Sequence, residues 1–217
     1  MRRVPITTIA LGLILSTLFA WQAGLDAYHD MHVVLAYGVI PSQLLGLSMA
    51  LPGIAEVPPI ATLITAQGLH GGFGHLIGNL AALAFAGPPA EAQTGAWRLL
   101  LVFLLAGVVG LTVEAVASAT SSIPIIGASA SIAGVIGAVA RRDPHGHVRI
   151  AVPARGFRLR RLAIPVLPVV AVWLVAQLAG IAFEQGEPVA FLAHAAGFIV
   201  GALLAGPDNR GPRILAP

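Results

Sequence analysis

Six apolar runs alternate with polar segments along this chain: residues 7–25, 72–87, 99–118, 124–140, 162–183 and 189–206. They hold 16 to 22 residues each. At a rise of about 1.5 Å per residue, such helices roughly match a hydrocarbon core about 30 Å thick. The pattern predicts an all-α membrane protein of six transmembrane helices, folded as a single domain over residues 1–217. Gly71, Gly72 and Gly74 blur where the second helix begins. The connection 26–59 is too long for a mere turn, so it is expected to be partly structured. Its apolar stretches Val33–Val39 and Leu44–Leu51 suggest a segment lying along the membrane interface.

Composition agrees with this reading. The chain is 57% hydrophobic and 10% charged, with a mean hydropathy of +0.89, whereas soluble domains are about 25% charged. There is no cysteine, which removes disulfides, thiol chemistry and cysteine-ligated zinc from consideration. A formal charge of +3 and a pI near 10.6 could hint at nucleic acid, but the placement of the charges gives a better account.

If the N-terminus is inside and the helices alternate, the inside segments are 1–6, 88–98, 141–161 and 207–217. These hold all 12 basic residues, every one an arginine: Arg2, Arg3, Arg98, Arg141, Arg142, Arg149, Arg155, Arg158, Arg160, Arg161, Arg210 and Arg213. The outside loops carry Asp26, Asp30, Glu56, Glu184 and Glu187 instead. This is the positive-inside bias, and an odd number of spans would destroy it. Residues 141–161 form a basic cytoplasmic loop, and the lipid bilayer, not nucleic acid, is the expected surrounding. The expected location is a bacterial plasma membrane, multi-pass, with both termini cytoplasmic. A cleaved leader is the rival reading of residues 1–20, but no small-x-small site ends that run and its removal would leave five spans.

Polar side chains inside such runs are costly, which makes each a candidate functional group. They are His75, Asn79, Glu114, Ser129, Ser131, Gln177 and His194. His75 and Asn79 open the second run, while Ser129 and His194 each stand five residues into theirs. All three runs point from outside to inside, so four polar groups are expected to converge at one shallow level. His194, Gly197, Gly201 and Ala205 share a stripe, and Ser129, Ala133 and Gly137 share another, flanked by Ala130, Gly134 and Ala138. Small-residue faces allow close helix approach, which a hydroxyl–imidazole pair requires.

The chemistry suited to this set is acyl transfer. Serine becomes a nucleophile when a base takes its proton, and histidine is the base available near neutrality. His75, the Asn79 amide and the Ser129 backbone N–H are candidate oxyanion donors. No carboxylate is well placed as a third triad member; Glu114, near the outer end of the third run, is a weak candidate for orienting the histidine, and a Ser–His dyad is the simpler reading. His70 and His75 are poorly spaced for a metal, with no acidic partner following. No metal or cofactor is expected.

His70-Gly-Gly-Phe-Gly-His75-Leu-Ile-Gly-Asn79 resembles the H-x4-H-L-x2-N pattern of the rhomboid family. Gly87-x3-Glu91-x3-Gly95 is similar to that family's G-x3-E-x3-G turn. Gly127-Ala128-Ser129 resembles its G-x-S motif, and Ala193-His194-x2-Gly197-Phe198 its A-H-x2-G-F motif. The ordered set covers about residues 58–206. The resemblance implies a six-helix rhomboid-like bundle and an intramembrane serine endopeptidase. Its catalytic dyad would be Ser129 and His194, and its oxyanion site His75, Asn79 and the Ser129 amide. Its substrates would be single-pass transmembrane proteins, cut near the outer membrane face, with small residues at the cut and a weakened helix.

Three positions depart from the family pattern. Ala130 replaces the usual glycine after the serine. Ala133 stands where a tyrosine often stacks on the histidine, leaving Phe198 or Trp173 to take its place. The Trp-Arg pair of the first outer loop is missing. Two other functions compete with proteolysis. An inactive rhomboid-like binder of membrane clients would be expected to have lost the serine or histidine. A small transporter would show internal repeats and midplane charges, which this chain lacks.

Overall fold

A computed structural model describes residues 4–49, 53–54, 57–154, 158–183 and 190–206. Within these residues, a helix occupies each of the six apolar runs: α1 (Ile6–Gln22), α5 (Phe73–Thr94), α6 (Ala96–Ala117), α7 (Ser129–Arg142), α8 (Val166–Phe183) and α9 (Phe191–Leu204). Three short helices lie in the described parts of the chain between α1 and α5: α2 (Ala27–Tyr37), α3 (Pro41–Leu44) and α4 (Pro59–Thr65). Among the described residues, α6 is long and apolar enough to cross a membrane, at 22 residues and a mean hydropathy of 2.5. Helices α1 and α9 are apolar but shorter.

α7 is the central helix. Every residue from Ala130 to Val139 is buried, against α5, α6 and α9. Its fit to α9 depends on missing side chains. A Cβ on Gly197 would strike the carbonyl of Ala130, one on Gly201 the carbonyl of Gly134, and one on Gly137 the carbonyl of Phe198. The stripe that meets α9 is therefore Ala130, Gly134 and Gly137, with backbone against backbone, as small residues permit in membrane proteins.

Three boundaries differ from the sequence expectation. α7 begins at Ser129, not at 124, because residues 124–127 are not helical and are held by bonds to other segments. Ile125 exchanges backbone hydrogen bonds with Val39 (2.8 and 3.0 Å), and the Gly127 N–H donates to the Ala66 carbonyl at 2.8 Å. Ser129 is thus the first residue of its helix instead of lying a turn inside it. α5, in turn, runs beyond 87 through Pro88 and Pro89 to Thr94. Two prolines remove two helical hydrogen bonds, but contacts with α1 hold this end from outside. Glu91 accepts from the N–H groups of Thr7 (2.9 Å) and Thr8 (2.8 Å) and from the Thr8 hydroxyl (2.8 Å). These donors lie in the first turn of α1, where N–H groups have no partner within the helix. Gly87, one turn earlier, lies against the Thr8 side chain with no room for a Cβ. The G-x3-E-x3-G segment is therefore the end of a helix, closed by Gly95 at φ +86.

The third difference is in the basic loop. Strand β1 (His147–Ala154) pairs antiparallel with β2 (Arg158–Pro165), in register from His147 opposite Pro165 to Ala154 opposite Arg158. Residues 162–165, read as the start of the fifth helix, belong to this hairpin, and α8 begins at Val166. On the opposite side of the molecule, Val39, Leu63 and Ala66 bury themselves against Leu111 and Ala115 of α6. The described parts of the connection between α1 and α5 are docked on the end of α6.

Candidate active site

Ser129 owes its position to the turn before it. Gly127 has a φ of +122, a conformation costly for residues with a Cβ. A Cβ there would also lie 2.7 Å from Cε1 and Nε2 of His75. The chain turns sharply at this glycine and presents Ser129 as the opening residue of α7. Its N–H and those of the next two residues are at a helix N-terminus, where intrahelical partners are missing and the dipole favours negative charge.

The Ser129 hydroxyl lies 2.7 Å from Nε2 of His194. Asn79 lines the same small cavity as these two residues. It is 6% exposed, and its amide nitrogen has no hydrogen-bond partner among the described residues. An unpaired buried donor is costly, so this one is free for a ligand. The structure thus gathers Ser129, His194 and Asn79. His75 stands beside them: its ring is exposed and outside the cavity lining, against Gly127. The Gly71 N–H donates to its Nδ1 at a long 3.4 Å. The neutral ring then carries its proton on Nε2, the nitrogen that faces Gly127.

The remaining polar residues have other work. The Ser131 hydroxyl, fully buried, donates to Oε1 of Gln67 at 2.8 Å, and the Gln67 amide donates to the Leu63 carbonyl at 2.8 Å. That link knits α7 to the α4 region. Glu114 accepts from the Ala193 N–H at 2.9 Å, in the first turn of α9 and next to His194. It caps the helix that carries the imidazole. The side chain of Gln177 lies outside the described residues. His70 is 1% exposed, edge-on to Phe19 and His75 with centroids 6.3 and 5.1 Å away. Burial, and secondarily the neighbouring His75, pull its pKa down to about 4. Among the described residues no three metal-ligating side chains come together.

Both substitutions next to the serine are accommodated by neighbours. The Ala130 methyl fits because α6 offers Gly110, where a Cβ would lie 2.8 Å from it. Where Ala133 leaves the histidine without a ring on α7, Trp173 of α8 lies 6.4 Å from the imidazole at 37°, and Phe191 meets it edge-on at 6.3 Å. These are ordinary spacings for interacting rings. Phe198 stacks on Trp173 at 5.9 Å and supports it from behind. Of the two rings the sequence offered, Trp173 is the one that meets the imidazole, while Phe198 meets Trp173; Phe191 was not foreseen.

A family model, the Rhomboid domain, matches residues 59–208. The chain belongs to the rhomboid family. Rhomboid proteins are integral membrane proteins and generally serine intramembrane proteases. The match begins at α4 and ends just past α9, so it takes in every helix that contributes to the cavity. A comparison with the curated proteins finds no match.

Proposed function

We propose that this rhomboid is an active intramembrane serine endopeptidase that cuts single-pass transmembrane proteins with a Ser129–His194 dyad. The observation that carries the reading is the 2.7 Å contact between nucleophile and base, with the unpaired Asn79 amide in the same cavity. An inactive client-binding relative would have no need to keep the three together.

In the first half-reaction, Ser129 Oγ attacks the scissile carbonyl while His194 Nε2 takes its proton. Negative charge then develops on the carbonyl oxygen. The Ser129 N–H at the start of α7 and the Asn79 amide donate to it, with the His75 Nε2–H as the third donor. His194 returns the proton to the leaving amine, and the peptide bond breaks to give an acyl-serine and a free amine product. Water, deprotonated by His194, attacks the acyl-serine and releases the carboxylic acid, which restores the hydroxyl. Trp173 and Phe191 hold the imidazole, and Glu114 fixes the end of its helix.

The six apolar runs act as six membrane spans with both termini cytoplasmic, as the arginine partition supports. Ser129, at the outer end of α7, then lies just below the outer membrane face. A substrate helix must unwind locally there, since a helical peptide carbonyl is shielded by its own backbone. No cofactor enters this chemistry.

The test is cleavage of a fluorescent transmembrane substrate in vesicles by wild type, Ser129→Ala and His194→Ala. The reading expects turnover by wild type and only background from the variants. Equal cleavage by all three would end it.

A further inference from the structure

The cavity at the dyad extends well beyond the reacting atoms. Its volume is about 140 Å3. From Ser129 it runs along α7 past Ile132 and Ala133 to Ile136, seven residues on, or about 10 Å at the helical rise. The polar groups Ser129, His194 and Asn79 all cluster at the α7 N-terminal end. The rest of the wall is Gly78 and Ala82 of α5, Trp173 of α8, and the α7 side chains just named. Three of these wall residues have at most a methyl group. A Cβ built on Gly78 meets nothing within 4 Å, so this glycine leaves room without being forced by packing. The far wall is packed from behind: Trp173 is backed by Phe198, and Ile132 and Ile136 are 2% and 8% exposed.

We infer that this space is the pocket for the substrate side chain on the acyl side of the cut, and that it selects a large apolar residue, phenylalanine or leucine, over the small residues that the family resemblance implies. The inference rests on the protease reading. Apolar cavities of about 150 Å3 hold a benzene molecule; this one is open on one side and polar at the dyad, and its apolar part is of a size to receive a phenyl or isobutyl group. An alanine would leave most of it empty, forfeiting contacts with Ile132, Ile136 and Trp173. Ala133 is central to the preference: it lies one turn from the nucleophile, where a larger side chain would occupy the pocket. Tyrosine is disfavoured as well, because its hydroxyl would lie among isoleucines with nothing to bond.

The experiment uses the full chain in vesicles and one transmembrane substrate whose cut has been mapped by mass spectrometry. The residue on the acyl side is then varied among Ala, Leu, Phe and Tyr. Wild type should favour Phe and Leu over Ala by roughly tenfold or more in kcat/KM, the usual return for filling an apolar pocket. Ala133→Phe should bring the Phe-to-Ala ratio to one or below, and Ala82→Leu should lower it in the same direction. Fluorophosphonate labelling of Ser129 reports whether each variant retains a competent site. Equal cleavage of Ala and Phe substrates by wild type overturns the inference while leaving the protease reading intact. So does an unchanged ratio in a labelled Ala133→Phe. No cleavage of any substrate, together with no labelling, overturns the protease reading and this inference with it.

Discussion

Ser129 Oγ and His194 Nε2 stand 2.7 Å apart, on helices whose backbones touch because Gly197 and Gly201 have no side chains. The carbonyls of Ala130 and Gly134 occupy the space where those side chains would be. Function therefore depends on the spacing of α7 and α9 as much as on the two reacting groups.

Gly201→Val should reduce activity without touching the reacting groups. Gly201 lies two turns below His194, and the new side chain must push α9 away from Gly134. Overpacking of this kind costs roughly 1–3 kcal/mol. A lowered unfolding temperature and reduced turnover are expected together. Wild-type stability in this variant would show that the helices are less tightly fitted than described.

Asn79→Ala tests the oxyanion donor. Loss of one such donor costs roughly 10²–10³ in kcat in soluble serine hydrolases. Because the amide has no partner among the described residues, its removal breaks no internal bond and stability should be nearly unchanged. Full turnover by Asn79→Ala would remove this residue from the mechanism.

Glu91 gives the fold a pH dependence. It lies beyond the apolar run 72–87 and accepts three hydrogen bonds from the start of α1. Burial alone would raise its pKa, but the backbone and hydroxyl bonds of Thr7 and Thr8 outweigh that and hold it below the ordinary carboxylate value of 4.5. A group with a depressed folded-state pKa stabilises above its unfolded value and stops doing so as pH falls through the folded one. Thermal stability should therefore decline below about pH 4.5 in wild type. Glu91→Gln should be less stable at neutral pH, by roughly 1–2 kcal/mol as for other lost helix caps, with a flatter acid limb. Parallel pH profiles for the two proteins would assign the acid sensitivity elsewhere.

Glu114 acts on the histidine through its helix. Its carboxylate holds the Ala193 N–H, so Glu114→Ala should lower kcat more than it raises KM. Glu114→Gln, which can still accept that bond, should recover much of the loss. If both variants behave as wild type, the cap does not position His194.

Much of this was legible in the sequence because membranes simplify the pattern. Apolar runs marked the long helices, and few polar residues needed explanation. Ser129, His194 and Asn79 were found because each is anomalous in its run. The start of α7 was missed, since Ile125 and Ile126 are as apolar as the helix they precede and Ile125 is held outside that helix by Val39, more than eighty residues earlier. The apolar run stops at residue 87 and the G-x3-E-x3-G pattern resembled a turn, yet Glu91, through contacts to α1, sustains the helix to Thr94. The β1–β2 hairpin was hidden by arginines, which obscure strand alternation. Glu114 was noticed, but its partner is a backbone amide, and no residue pattern announces a backbone partner.

The most direct measurement is active-site labelling by a fluorophosphonate probe on the reconstituted protein. Wild type should be labelled at Ser129 alone, Ser129→Ala should not be labelled, and His194→Ala should react far more slowly, since its hydroxyl has lost the base 2.7 Å away. Labelling that persists in Ser129→Ala, or that is as fast in His194→Ala as in wild type, would contradict the account.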